Sequence, residues 1–365
     1  MTKGNKMLEK ILSSDNLNLA YTKVAQNKGT YGIDGMTTEQ LLPFLEANGE
    51  SLRQSLLDGS YIPQPVRAVR IPKGGGKFRT LGIPTAIDRF IQRAIVQVLM
   101  PLYDAEFSEA SYGFRPERSV EDAVKKCLNY INNGFTWAAD MDLEKFFDSV
   151  CREKLMEILI KDIQDDRVTD LIGAYINSGI IEDGRPSFTS TGIHQGGPLS
   201  PLLANIMLNE LDSELTRRHE NFVRYADDMI IFCRNKPSAY QALKHIAPYI
   251  EGNLLLRINE DKTAITRADN VKFLGYGFFR TSDGYRIRIH EDSVANMKER
   301  IIELAGKDES KIRQYIAAWI AHYRLADIVK FLDDNEEWIG DSLMSLFVNI
   351  WLSQQERINF HPNRQ

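Results

Sequence analysis

The sequence predicts an α+β protein, with an antiparallel sheet in the middle of the chain and helices before, around and after it. Three observations lead there. Phe222-Val223-Arg224 and Met229-Ile230-Ile231-Phe232 flank Tyr225-Ala226-Asp227-Asp228, which reads as strand, tight turn, strand. Asp283-Gly284 marks a second hairpin between Gly275–Thr281 and Tyr285–His290. Helical spacing dominates both ends, clearest where Ile312, Tyr315, Ile316, Trp319, Ile320 and Tyr323 recur with a period near 3.6 residues.

Taken in order, Leu8 to Val24 and Thr38 to Leu57 read as helices joined by the Gly29–Gly35 loop. Residues 61–136 combine a basic hairpin with the helical stretches Ile87–Leu102 and Val120–Ile131. Trp137-Ala138-Ala139-Asp140-Met141-Asp142 alternates like a strand, and the residues after it can open a helix. Helices are expected at Leu202–Arg218 and Ala239–Gly252, packed on the sheet, and again from Asp292 onward. The aromatic residues of that last region are read as core.

Composition sets the bounds. At 365 residues with 43% hydrophobic and 26% charged side chains, the chain suits two or three packed units of an ordinary globular protein. It has no apolar run of about 18 residues, so no membrane span is expected, and its mixed-charge start is unlike a secretory leader. Cys127, Cys151 and Cys233 are few, odd in number and far apart, which argues against a disulfide framework or zinc ribbon and for a reducing, cytoplasmic setting. Net charge is −5, yet Arg67, Arg70, Lys73, Lys77, Arg79, Arg89 and Arg93 stand against Asp88 alone between residues 61 and 93. That is the footprint of a polyanion site. Residues 330–365 have the opposite balance, three basic residues against six acidic ones.

Two adjacent aspartates at a hairpin tip repel each other unless a cation sits between them. A solvated Asp-Asp turn is the plain alternative. What tips the balance is the second acidic strand, Asp140-Met141-Asp142, upstream. Hard divalent cations take carboxylate oxygens, and two of them roughly 3.5–4 Å apart clamp the attacking and leaving oxygens of an in-line phosphoryl displacement. One aspartate from each strand would build that clamp.

Six motifs stand in a fixed order: Ile71-Pro72-Lys73-Gly74-Gly75-Gly76-Lys77-Phe78-Arg79-Thr80-Leu81-Gly82-Ile83-Pro84; Ser111-Tyr112-Gly113-Phe114-Arg115-Pro116; the Asp142 block; Gln195-Gly196-Gly197-Pro198-Leu199-Ser200-Pro201; the Tyr225–Asp228 tip; and Phe273-Leu274-Gly275-Tyr276-Gly277. Together they resemble a reverse transcriptase of the group II intron lineage, over about Asn16 to Tyr323. The resemblance implies a right-hand polymerase fold: N-terminal extension and fingers over 1–136, a palm of antiparallel sheet plus helices over 137–281, and a primer-side hairpin with a truncated, maturase-like helical thumb over 282–365. It also implies RNA-directed DNA synthesis with two Mg²⁺ ions (Mn²⁺ able to substitute), an RNA template, a DNA or RNA primer and dNTPs. No nuclease motif follows the thumb, so a DNA-cutting domain is not expected.

Residue by residue, the resemblance makes Asp142 and Asp227 the bridging metal ligands and Asp228 the third. Asp142 is chosen over Asp140 because Phe146 and Phe147 follow it by four and five residues, as in the family. Asp140 and Asp148 are left as strand-edge or helix-start carboxylates. Phe147 would close the floor under the sugar C2′ position, a role compatible with being a core aromatic. Lys73 and Arg79 would hold the triphosphate, their plainer reading being solvated charges on a hairpin. Gln195 would pack beside the incoming nucleotide, and Lys262 would be the general acid for pyrophosphate unless it is a surface lysine. Arg115, with Arg118, would touch template backbone, while Phe273, Leu274, Gly275 and Tyr276 would grip the primer end. His194 stands where relatives carry proline and is not expected to bind metal, since no second ligand lies at suitable spacing. Relatives also carry arginines near Trp338, where this chain has Gly340, Asp341 and Ser342. That loss favours copying a small dedicated non-coding RNA, in phage defence or another host role, over assisting intron splicing. A non-catalytic RNA-binding module and a homo-oligomeric assembly protein are the alternatives from other classes.

Overall fold

Ser13 divides the first predicted helix in two. Its backbone is extended (φ −67°, ψ 146°) and its hydroxyl donates to the Lys10 carbonyl at 2.9 Å, so α1 (Met7–Ile11) stops and α2 (Ser14–Gln26) starts afresh. A serine that bonds the backbone locally competes with the helix ladder, and the single helix expected over Leu8–Val24 is corrected to this pair. The computed structural model describes residues 6–74, 77–304 and 309–359. A 3₁₀ turn at Thr38–Gln40 leads into α3 (Leu41–Leu57).

The basic hairpin pairs β1 (Val66–Gly74) with β2 (Lys77–Ile83), antiparallel from Arg67–Ile83 to Gly74–Lys77 with a register shift between Pro72 and Gly74. Thr85 then caps α4 (Ala86–Asp104), accepting from the Asp88 amide at 3.0 Å, and a Ser119–Asp122 capping box opens α5 (Val120–Asn132). Next come β3 (Trp137–Met141), the short α6 (Phe146–Ser149), α7 (Arg152–Asp162) and α8 (Asp166–Ile176). Two strands not foreseen follow, β4 (Ile180–Glu182) and β5 (Arg185–Ser187). They extend the N-terminal sheet to the order β2-β1-β4-β5, with Val66 beside Ile180 in parallel. Residues 180–187, assigned from sequence to the palm, thus belong to the basic hairpin's sheet. At three residues each, such strands leave no readable alternation.

The chain continues through α9 (Ser200–Arg217), β6 (Asn221–Tyr225), β7 (Asp228–Cys233), α10 (Lys236–Gly252) and β8 (Ala264–Arg267). Strands β6-β7-β3-β8 form the central antiparallel sheet. Both of its faces are covered. Ala139, Met141, Phe222, Met229 and Ile231 join a core shared with α1–α4 and α7–α10, while Ala138, Val223, Ile230 and Phe232 join a second core with α5 and the hairpin of β9 (Tyr276–Thr281) and β10 (Gly284–Ile289). Burial on two sides explains why β7 reads as one continuous apolar run. The first core crosses residue 136 without a break, so the expected fingers and palm segments share an interior.

The C-terminal helices are α11 (Glu291–Leu304), α12 (Glu309–His322), α13 (Ile328–Asp334) and α14 (Glu336–Asn359), the last with a non-helical residue at Gly340. Trp319 is the hub of their core, with ring centres 4.9 Å from Tyr323, 5.1 Å from Phe331 and 6.2 Å from Phe347. The aromatic periodicity of α12 serves packing, as expected. All three cysteines are free thiols, and no helix among the described residues is long and apolar enough to cross a membrane.

Candidate active site

The acidic residues meet at one end of the central sheet because of register. Met141 pairs with Met229, so the next position places Asp142, just past β3, opposite Asp228 at the start of β7. Alternation along a strand puts Asp140 on the same face. The β6–β7 turn has a positive φ (57°) at Ala226 and none at Asp227, the pattern of a type II′ turn. Asp227 is half-buried and Asp228 exposed.

Asp140 registers this crowding. Burial pushes its carboxyl up to about 7, and the negative charges of Asp228 and Asp142 push in the same direction against Lys272. Asp140 is not the strand-edge group expected from sequence, because β3 is a central strand. The Asp142 main chain holds the 259–263 turn: the Asn259 amide donates to its carbonyl at 2.8 Å, and its own amide donates to Thr263 Oγ1 at 3.2 Å. That turn carries Lys262 onto Asp142, with Nζ donating to both carboxylate oxygens at 3.1 and 3.2 Å. With side chains 59% and 31% exposed, the pair is worth no more than about 1 kcal/mol. Among the described residues no three Asp, Glu, His or Cys side chains are drawn close enough to enclose an ion. The donors at this end of the sheet are all carboxylate oxygens, which is the chemistry that hard divalent cations require.

A second set of segments is laced together by backbone hydrogen bonds. The Ile193 amide donates to the Phe147 carbonyl at 2.7 Å, and the Gly82 amide of β2 donates to the Gln195 carbonyl at the same distance. Phe147 is buried and meets Phe146 edge-on at 5.2 Å. A Cβ on Gly196 (φ 126°) would stand 2.7 Å from the Gly82 carbonyl, so glycine is required there, while one on Gly197 would stand 2.5 Å from Gln92 Oε1 and force that side chain to move.

Residues 71–278 match the family model for reverse transcriptases, RNA-dependent DNA polymerases. The chain belongs to the reverse transcriptase family. Among its relatives, protein YkfC of Escherichia coli K12 is 36% identical over 295 residues, 70% of this chain and 77% of that protein. The group II intron-encoded protein LtrA of Lactococcus lactis subsp. cremoris is 29% identical over 379 residues, covering 84% of this chain and 62% of LtrA. A Candida tropicalis telomerase structure shares the fold at a TM-score of 0.50 and 14% identity, covering 62% of this chain and 55% of that one.

Other residues singled out in this reverse transcriptase sort differently once folded. Arg115 is corrected: its guanidinium is buried, paired with Asp104 at 2.7 Å and donating to the carbonyls of Asp104, Ser108 and Ser111, so that it faces inward rather than toward a template. Arg118 lies over Tyr112 and pairs with Glu109. Phe273 and Tyr276 are core residues that close a turn by mutual backbone bonds of 2.9 Å, and the Tyr276 hydroxyl donates to the His322 carbonyl. Of the four expected primer-grip residues, only Leu274 and Gly275 form the tip of that turn. Arg79 is exposed on β2 opposite Ile71, while the Lys73 side chain lies outside what is described. His194 keeps its loop without the family proline, its carbonyl accepting from Ser200 Oγ. Burial and the nearby Arg152 hold its imidazole down at about 4, so it is neutral at pH 7.

Sequence reasoning missed two arginines. Arg152 is buried with neutral acceptors only, bonding Gly192 O, Asn177 Oδ1 and Thr189, and so ties down the approach to Gln195. Arg224 is fully buried against Asp212. The available signal was a lone arginine inside an apolar strand, which must find a partner. For Arg115, substitution by Ala is expected to cost about 2–4 kcal/mol of stability in urea unfolding, because a paired charge loses its partner. Template affinity of the folded variant should stay unchanged; a clear loss there would mean that the guanidinium does reach nucleic acid.

Proposed function

We propose that the chain is an RNA-directed DNA polymerase that extends a primer by two-metal nucleotidyl transfer at the Asp142–Asp228 end of the sheet. One observation carries this: independent strands deliver Asp142 and Asp228 opposite each other, beside an Asp140 whose carboxyl is raised by burial and, in addition, by their charge. Binding RNA requires no such concentration of repelling carboxylates, which disfavours a non-catalytic module. Asp142 and Asp227 would bridge two Mg²⁺ ions, with Asp228 as the third ligand; the ions would supply charge for the attacking and leaving oxygens.

The remaining roles fall to the protein's own groups. Arg79 and Lys73 hold the triphosphate from the β1–β2 hairpin, which Gly82 ties to the Gln195 loop. Phe147 supplies the surface under the sugar, fixed through its carbonyl to Ile193. Lys262, one hydrogen bond from Asp142, would hand a proton to the departing pyrophosphate once the nucleotide draws it off. The Leu274–Gly275 turn borders the primer end.

The acidic balance of residues 330–365 supports copying a small dedicated RNA, since each missing phosphate contact weakens the grip on a large one. The likeness to LtrA, named a group II intron-encoded protein, favours an intron RNA instead. Sequencing the RNA and cDNA that co-purify with the protein decides between them: a small host-encoded RNA is expected, and intron ribozyme sequence would reverse the assignment.

Two measurements test the chemistry. Changing Asp227 and Asp228 to Ala is expected to abolish Mg²⁺-dependent DNA synthesis on a primed RNA template while circular dichroism stays native. Synthesis by the folded double variant would reject the metal ligands. Replacing Phe147 by Val or Ala should raise the ratio of ribonucleotide to deoxyribonucleotide incorporation by on the order of tenfold; an unchanged ratio returns Phe147 to the core alone.

A further inference from the structure

The turn that presents Asp227 and Asp228 is not held by its own sequence. Ala226 carries a positive φ, a conformation that an L-residue avoids unless its surroundings impose it. Arg224, two residues earlier, is completely buried, and so is its partner Asp212 on α9. Nε donates to Asp212 Oδ1 at 2.7 Å and Nη2 to Oδ2. The third nitrogen, Nη1, leaves the pair: it donates to Asn205 Oδ1 at 2.9 Å and to the Ala226 carbonyl at 3.0 Å.

The other side of the turn is walled. Asn205 Nδ2 donates to the Gly113 carbonyl at 2.8 Å, and the 110–113 segment runs beside β6 through bonds between Arg224 N and Ala110 O and between Tyr112 N and Arg224 O, each 2.9 Å. Gly113 lies so close that a Cβ there would stand 2.3 Å from the Ala226 amide nitrogen. The peptide joining Ala226 to Asp227 is therefore gripped at its carbonyl by a buried cation, and the peptide before it, Tyr225 to Ala226, is walled in by the Gly113 backbone.

We infer that Arg224, charged and aimed by Asp212 and Asn205, is a positioning residue that sets the peptide plane before Asp227 and so the direction of the carboxylates at the tip. The inference rests on the metal-ligand reading above. Stability alone does not require the pair, because a buried ion pair can often be exchanged for apolar residues of like size without loss. What an apolar pair cannot replace is the bond to the Ala226 carbonyl.

The test compares wild type with the double variant Asp212→Leu/Arg224→Met, and separately with Gly113→Ala, which keeps every charge but pushes on the turn at the Tyr225–Ala226 peptide. Three readouts are taken: hydrogen exchange of the 226–229 amides in metal-free protein, Mn²⁺ binding by electron paramagnetic resonance, and kcat and KM for dNTP on a primed RNA template. In double variant that melts close to wild type, exchange is expected to quicken and Mn²⁺ binding to weaken, each on the order of tenfold, with kcat falling while KM holds. Gly113→Ala, which displaces the tip with Arg224 intact, should show the same signature; where the double variant does not fold, Asn205→Ala, which keeps the ion pair and removes the acceptor that aims Nη1, takes its place. Wild-type exchange and Mn²⁺ affinity in either folded variant overturn the inference, as does activity lost only in step with melting temperature. Should wild type bind Mn²⁺ but make no DNA, the polymerase reading fails while exchange and Mn²⁺ binding still decide the role of Arg224.

Discussion

Carboxylates gathered at one end of a sheet repel each other, and holding them there is the constraint to which much of this molecule answers. The register of β3 against β7 does the gathering. A slip of β3 by one residue would turn Ala138 toward the opposite core and carry Asp142 to the other face. Burial on both sides prevents the slip, because each face of these strands is matched to a different set of partners. Repulsion thus acts on a framework that cannot relax by sliding, and it adds to burial in raising the carboxyl of Asp140.

The same framework couples the carboxylates to distant segments. The 259–263 turn is hung from Asp142 itself, so its lysine arrives with the strand. The Gln195 loop is bonded to Phe147 on one side and to β2 on the other, which joins the basic hairpin to the central sheet by backbone rather than by long charged side chains. Arg152 and Arg224 have related positions in this scheme. Each is a buried cation that spends its donors on loop carbonyls or neighbouring polar groups next to a segment of the candidate site. Buried guanidinium groups suit this work, since several fixed donors converge from one planar group.

Several readings failed because a residue type does not give a side chain's surroundings: its direction, its depth or the bond its neighbours offer. Arg115 lies in a motif that looks suited to nucleic acid, yet its guanidinium turns inward to Asp104 and three carbonyls. Phe273 and Tyr276 stand next to an exposed turn and are themselves core. Asp140 has the same residue type and face as Asp142, but sits deeper along the strand. Ser13 broke a helix whose apolar spacing continued through it, because its hydroxyl offered the backbone another bond.

What the sequence determined by itself are features decided within a few residues. The Tyr225–Asp228 turn between two apolar runs, the Asp283-Gly284 hairpin, the extents of α4, α5, α9 and α10 to within a few positions, and the packing role of the α12 aromatics all follow from local spacing. Tertiary structure alone decided the meetings across long stretches of chain. Lys262 reaches Asp142 over 120 residues, Asn205 reaches Gly113 over 92, and β4–β5 returns to extend the sheet of β1 and β2. Such meetings depend on which faces are buried against which, a property of the packed whole that no short window of sequence contains.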